Sequence, residues 1–145
     1  MKRIHRAWML AALLGLIWGS TKPTSALAVE SDPVRVVIHV NFGDAERQGK
    51  GLKNITNILK EVGEAGEIEV VSHGAGIDLL VASRTKHAEQ VAELRRRGVR
   101  FVACENTMTE KSITKAELLE GVETVRSGAV EVIRKQQAGF AYFRP

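Results

Sequence analysis

Val34-Arg35-Val36-Val37-Ile38-His39-Val40 is the stretch on which the reading of the fold turns. Five of its seven side chains are β-branched and apolar, and only Arg35 and His39 interrupt them. A strand with one wet face alternates apolar and polar residues, whereas a near-continuous apolar run suits a parallel strand covered on both faces. Asn41, Phe42 and Gly43 end the run, and Asp44 is a residue that can cap a helix. Beyond it, Leu52, Ile55, Leu59 and Val62 recur at three- and four-residue spacing, which predicts a helix over 46–62 with one inward face.

The same alternation continues outward. A second strand is expected over 68–72, followed by His73-Gly74-Ala75-Gly76 and a short apolar helix over 77–82. Thr85 is placed to cap another helix, with Val91 and Leu94 inward and Gly98 as its stop. A third strand over 99–103 runs into Cys104, and 105–112 reads as a polar loop. Thr114 and Glu117 have capping-box spacing and open a short helix that stops at Gly121. A fourth strand over 122–125 precedes Ser127, which caps a helix carrying Val130, Ile133 and Arg134 and ending near Gly139; 140–143 is a last short strand. Strands alternating with helices imply a mostly parallel sheet with helices on both faces, a three-layer α/β domain.

The first residues have the three parts of a secretory signal. Lys2, Arg3 and Arg6 are followed by an uncharged apolar run over 7–18, by the helix breakers Gly19, Ser20 and Pro23, and by Ala26-Leu27-Ala28. Cleavage after Ala28 divides the chain into a signal peptide (1–28), a short linker (29–33) and the α/β domain (34–145). The apolar run falls short of the ~20 residues a membrane-spanning helix needs; an uncleaved anchor is the competing reading. No cysteine follows the run and no Arg-Arg pair precedes it, so neither a lipoprotein nor a twin-arginine signal is indicated. The expected location is the periplasm, or another exported compartment.

Export changes the electrostatics. The chain has 21 Lys and Arg against 17 Asp and Glu, but four of the basic residues (Lys2, Arg3, Arg6, Lys22) precede the cut. The mature domain is formally neutral, which argues against a nucleic acid partner and against membrane binding after cleavage. Arg95-Arg96-Arg97 closes a helix, where cations complement the carbonyl dipole. With Cys104 as its one cysteine, the chain has no internal disulfide. A lone thiol in an oxidising compartment is either buried and inert or kept for its chemistry.

Ligands of open α/β sheets bind beyond the carboxyl ends of the strands. There the first strand delivers Asn41, the second His73 with Gly74 and Gly76, and the third Cys104 followed by Asn106 and Thr107. A thiol at a loop-to-helix transition is stabilised as thiolate; the alternative is a small apolar residue at a strand end. His73 has two readings, a group that tunes that thiol or a turn histidine bonded to a backbone carbonyl. His39, inside the buried strand, reads as a satisfied core histidine, and His87 as an exposed residue of a first helical turn. The histidines and cysteine lack metal-ligand spacing. Leu79 stands where a dinucleotide fingerprint needs its third glycine, there is no P-loop, and no G-x-S-x-G elbow occurs. Neither a metal nor another cofactor is expected.

Taken in order, Val36-Val37-Ile38-His39-Val40, Ser72-His73-Gly74-Ala75-Gly76-Ile77-Asp78 and Phe101-Val102-Ala103-Cys104-Glu105-Asn106-Thr107-Met108 resemble the DsrE/DsrF-like family, specifically its exported single-domain branch. The tail from Gly121 to Pro145 fits it too, so the resemblance spans 34–145. It implies a five-stranded parallel sheet between helices and a homo-oligomer, a trimer or hexamer. Some members carry sulfur as a persulfide on a cysteine and pass it along a relay, and Cys104 matches the cysteine of the Ala-Cys-x-Asn-Thr-Met segment. The expectation is therefore a sulfur carrier, or sulfurtransferase if catalytic. Cys104 would accept sulfane sulfur from a donor protein and hand it to an acceptor, with Asn41, His73, Gly74, Gly76, Asn106 and Thr107 lining the pocket. The rival readings are a small-molecule-binding module without covalent chemistry and a structural subunit of a homo-oligomer.

Overall fold

The computed structural model describes residues 33–63 and 66–145; the expected signal peptide, and all of the linker but Pro33, lie outside them. The strands are β1 (Arg35–Val40), β2 (Glu67–Ser72), β3 (Arg100–Cys104), β4 (Glu123–Val125) and β5 (Ala141–Phe143). They are joined through α1 (Ala45–Val62), α2 (Ala88–Arg96), α3 (Glu105–Glu110) and α4 (Gly128–Gln137), with 3₁₀ segments at Gly74–Leu80 and Lys115–Glu117. All five strands are parallel, in the order β4-β3-β2-β1-β5. This is the parallel α/β sheet that the apolar strand runs predict.

Alternate residues of a strand face opposite sides of a sheet. On one side Val36, Ile38, Val40, Ile68, Val70, Phe101 and Ala103 pack against Leu52, Ile55 and Leu59 of α1 and Val91 and Leu94 of α2. On the other side Val37, Val71 and Val102 pack against Val132 of α4, with Val125 and Phe140 beside them. β4 and β5 occupy opposite edges of the sheet. The chain between them must cross β3, β2 and β1, and α4 is the helix that makes the crossing. Asp44 caps α1 by accepting from the Arg47 amide at 2.7 Å, as its position in the sequence predicts.

Local readings fail where tertiary contacts outweigh propensity. The expected loop at 105–112 is mostly helix α3, despite the Asn and Thr residues that favour turns. Its hold is tertiary: Thr107 and Met108 are buried, and the Asn106 amide donates to Arg126 O. In α4, Val130 and Ile133 are 42% and 53% exposed, and Gly128 and Val132 form the buried stripe. The short apolar helix expected at 77–82 is 3₁₀ and starts at Gly74. Thr85 Oγ1 accepts from the His87 amide, but the helix behind it begins only at Ala88. Thr114 and Glu117 do form a capping box, on a single 3₁₀ turn.

Candidate functional site

The strand register builds the site. Val37 lies opposite Glu69 and Tyr142, Glu69 opposite Arg100, and Val71 opposite Val102. His73 (φ −148°, ψ 174°) and Cys104 (φ −80°, ψ 116°) keep extended backbone, so the two-residue alternation carries on to both. The face toward α4 therefore consists of three rows. In register, Tyr142, Val37, Glu69 and Arg100 form the row nearest the strand starts, His39, Val71 and Val102 the next, and His73 and Cys104 the one at the carboxyl ends, so that His39 meets His73 on a diagonal.

Cys104 sits where the starts of α3 and α4 meet, and it is itself the N-cap of α3. Burial pushes its thiol up, but the amides of Gly128, Thr107 and Asn106 and the Thr107 hydroxyl outweigh burial and hold the thiol below its ordinary value. Thr107 Oγ1 also accepts from the Gly74 amide at 3.0 Å, tying α3 to the turn after β2. As a thiol, Sγ faces Arg126 O at 3.9 Å. The residue is 4% exposed. Gly128 is the residue that lets α4 come so close. A Cβ there would lie 3.1 Å from His73 Cβ and 3.2 Å from Cys104 Cβ, so both residues pack around one glycine.

His39 is not the core histidine its strand suggests. Its Nε2 lies 2.6 Å from His73 Nε2 and its Nδ1 2.8 Å from the Tyr142 hydroxyl. The two imidazoles stack with ring centroids 4.8 Å apart. Burial, the neighbouring His73 and Arg144 all lower the His39 pKa, and burial lowers that of His73. Both rings are therefore neutral near pH 7. His73 thus bonds a second histidine and not the backbone carbonyl of the simpler reading. His87 is half-buried, with Nε2 2.7 Å from Ala45 O.

The remaining candidates divide by role. Asn41 is at the same edge, but its Oδ1 accepts from Arg144 Nε and Nη2 at 3.2 and 2.8 Å, pinning the end of the chain. Gly76 has a packing role: a Cβ there would lie 2.1 Å from Val40 O. Gly74 has φ +54°, in the left-handed region. Asn106 contributes its amide, while its side chain is exposed. Thus Cys104, Thr107, Gly74 and His73 come together, and Asn41 stands apart with Arg144. Sequence reading passed over His39, Tyr142 and Gly128. The signal for His39 was parity, since His39, His73 and Cys104 each stand two residues beyond a buried valine (Val37, Val71, Val102).

Two clefts lie elsewhere. One of about 300 Å³ is lined by Glu69, Arg100, Lys135 and Phe140 at the strand starts, and one of about 650 Å³ lies between α1 and α2. Among the described residues, no three His, Cys, Asp or Glu side chains converge to hold a metal ion.

Fold and edge together define a class: a small α/β domain with an all-parallel five-stranded sheet and a thiol held between two helix starts. The chain belongs to the DsrE/DsrF-like family, whose model matches residues 35–145. It is similar to MTH1491, a protein of unknown function from Methanobacterium thermoautotrophicum, at 36% identity and a TM-score of 0.74, covering 77% of this chain and 99% of that one. It is also similar to the ychN protein from E. coli, at a TM-score of 0.67 over 77% of this chain and 99% of that one. At 13% identity that likeness bears on the fold alone. No curated protein matches the chain.

Proposed function

We propose that Cys104 accepts sulfane sulfur as a persulfide and passes it to an acceptor, as a sulfur carrier or sulfurtransferase. One observation carries the reading: Cys104 caps the start of α3 and packs against Gly128 at the start of α4, where backbone amides hold its thiol below the ordinary value although burial pushes it up. Thiolate is the form that attacks a sulfane sulfur. Family membership supports the same chemistry. The 4% exposure of Cys104 favours the rival reading, a structural subunit, and the experiment must separate the two. Wild-type protein incubated with thiosulfate, polysulfide or an alkyl persulfide should gain one sulfur in intact mass, removable by a reducing thiol, and Cys104→Ser should not. Absence of the adduct from every donor, while Cys104 is still alkylated by iodoacetamide, would refute the carrier reading.

Two further proposals accompany this one. The protein acts after export, cleaved near Ala28, and N-terminal sequencing should find Val29. It acts as a trimer or hexamer, which light scattering would read; exposed Val130 and Ile133 on α4 are an apolar surface consistent with that.

A further inference from the structure

We propose that Tyr142, His39 and His73 form a proton relay ending beside Cys104, and that the donor it serves is a persulfide whose leaving thiolate needs a proton. The proposal rests on Cys104 being the nucleophile of the preceding section. Its own basis is a hydrogen-bonded diagonal across the three adjacent strands β5, β1 and β2. Tyr142 Oη lies 2.8 Å from His39 Nδ1, and His39 Nε2 lies 2.6 Å from His73 Nε2. His73 and Cys104 are neighbours on one face, packed around Gly128.

Two Nε2 atoms at that distance share one proton, so the pair has two neutral arrangements. In the first, the Tyr142 hydroxyl donates to His39 Nδ1, His39 Nε2–H donates to His73 Nε2, and His73 Nδ1 carries a proton. In the second, every one of these bonds is reversed and His73 Nδ1 is a base. Among the described residues Nδ1 of His73 has no hydrogen-bond partner, so that nitrogen is the open end of the chain. Tyr142, 44% exposed, is the end that exchanges with water. Tyr142 is bonded to His39 and the charge of Arg144 acts on it, while Cys104 of β3 packs beside His73 around Gly128. Burial, mutual repulsion and Arg144 disfavour a charged His39, which keeps the pair in its two neutral forms.

The two arrangements match two half-reactions. In loading, the Cys104 thiolate attacks the outer sulfur of R–S–SH. The Cys104 S–S bond forms, the donor S–S bond breaks, and R–S⁻ departs with the electron pair. His73 Nδ1 protonates R–S⁻ to R–SH while the relay shifts to its second arrangement, drawing a proton from water at Tyr142. In unloading, His73 Nδ1 takes the proton of an acceptor thiol R′–SH. Its thiolate attacks the terminal sulfur, R′–S–SH leaves, Cys104 returns as thiolate, and the relay resets by releasing a proton at Tyr142. The sum is R–S–SH and R′–SH giving R–SH and R′–S–SH, with no net oxidation.

Thiol–disulfide exchange at Cys104 tests the relay without requiring sulfur transfer. The lower the pKa of the leaving thiol the faster it leaves, so an alkyl thiolate gains from a proton donor and a nitro-aromatic thiolate gains little. The reading is the ratio of exchange rates, aromatic over aliphatic disulfide, at pH 6.5. His39→Gln and Tyr142→Phe should each raise that ratio about 10-fold or more, within the range of a lost general acid. The relay is wrong if both variants keep the wild-type ratio. Tyr142→Phe, at an exposed position, decides alone should His39→Gln not fold. If wild-type Cys104 exchanges with neither disulfide, relay and carrier readings fall together. If it exchanges with the expected ratios yet takes up no sulfane sulfur, only the carrier reading falls.

Discussion

Gly128→Ala puts the packing of the site and its chemistry to one test. The added methyl would lie 3.1 Å from His73 Cβ, 3.2 Å from Cys104 Cβ and 3.3 Å from Val71 Cγ1. Two of these are Cβ atoms, which no rotamer change can move aside, on strands held in the ladder. Relief must come from displacing the start of α4. Overpacking of this kind costs about 1–3 kcal/mol. The better helix propensity of Ala returns at most ~1 kcal/mol, and less in a first turn. The net expectation is a loss of about 1–2 kcal/mol, with roughly 4 °C in Tm for each kcal/mol in a domain of this size. Displacement also withdraws the Gly128 amide from Sγ, so the thiol pKa should rise. Urea denaturation measures the first effect, and the pH dependence of iodoacetamide alkylation the second. Wild-type stability together with a wild-type thiol pKa in Gly128→Ala would refute the description of this glycine as the point around which His73 and Cys104 pack.

Three other outcomes follow from the same geometry. Thr107→Val keeps shape but leaves the Gly74 amide without its acceptor; it should cost about 1–3 kcal/mol in urea denaturation and raise the Cys104 pKa. His39 and His73 have depressed pKa values, so below ~6.5 the unfolded chain binds more protons than the folded one. Stability should be full above about pH 7 and fall as pH drops toward the folded values; His39→Gln should show a shallower fall, and an unchanged slope would count against the pairing. Glu69 is buried with Oε1 unpartnered, and its Oε2 lies 2.7 Å from Lys135 Nζ and 2.8 Å from Arg100 Nη1. Lys135→Met should therefore destabilise by roughly 1–3 kcal/mol, below the 3–5 of a fully orphaned buried charge because Arg100 stays; calorimetry showing no loss would mean that Arg100 alone suffices.

The sequence by itself determined the class of fold, because the signals involved are local. A near-continuous β-branched run at 34–40 and a mostly apolar run at 99–103 specify strands covered on both sides, and a three- to four-residue apolar period specifies α1. Parallel strands in turn oblige Asn41, His73 and Cys104 to share one edge, so the place of the chemistry was also legible. What lay beyond local reading was the register between strands and the path of α4. Register sets which side chains stand in a row, and it is a property of pairs of strands far apart in the chain. His39 and Tyr142 are 103 residues apart, and His39 and His73 are 34. Only the tertiary structure could turn an apparent core histidine into the middle of a hydrogen-bonded chain. The same holds for 105–112, where contacts to Arg126 and the core make a helix of residues that prefer a turn. It holds too for Gly128, whose missing side chain matters because a helix from the far edge of the sheet presses it between His73 and Cys104.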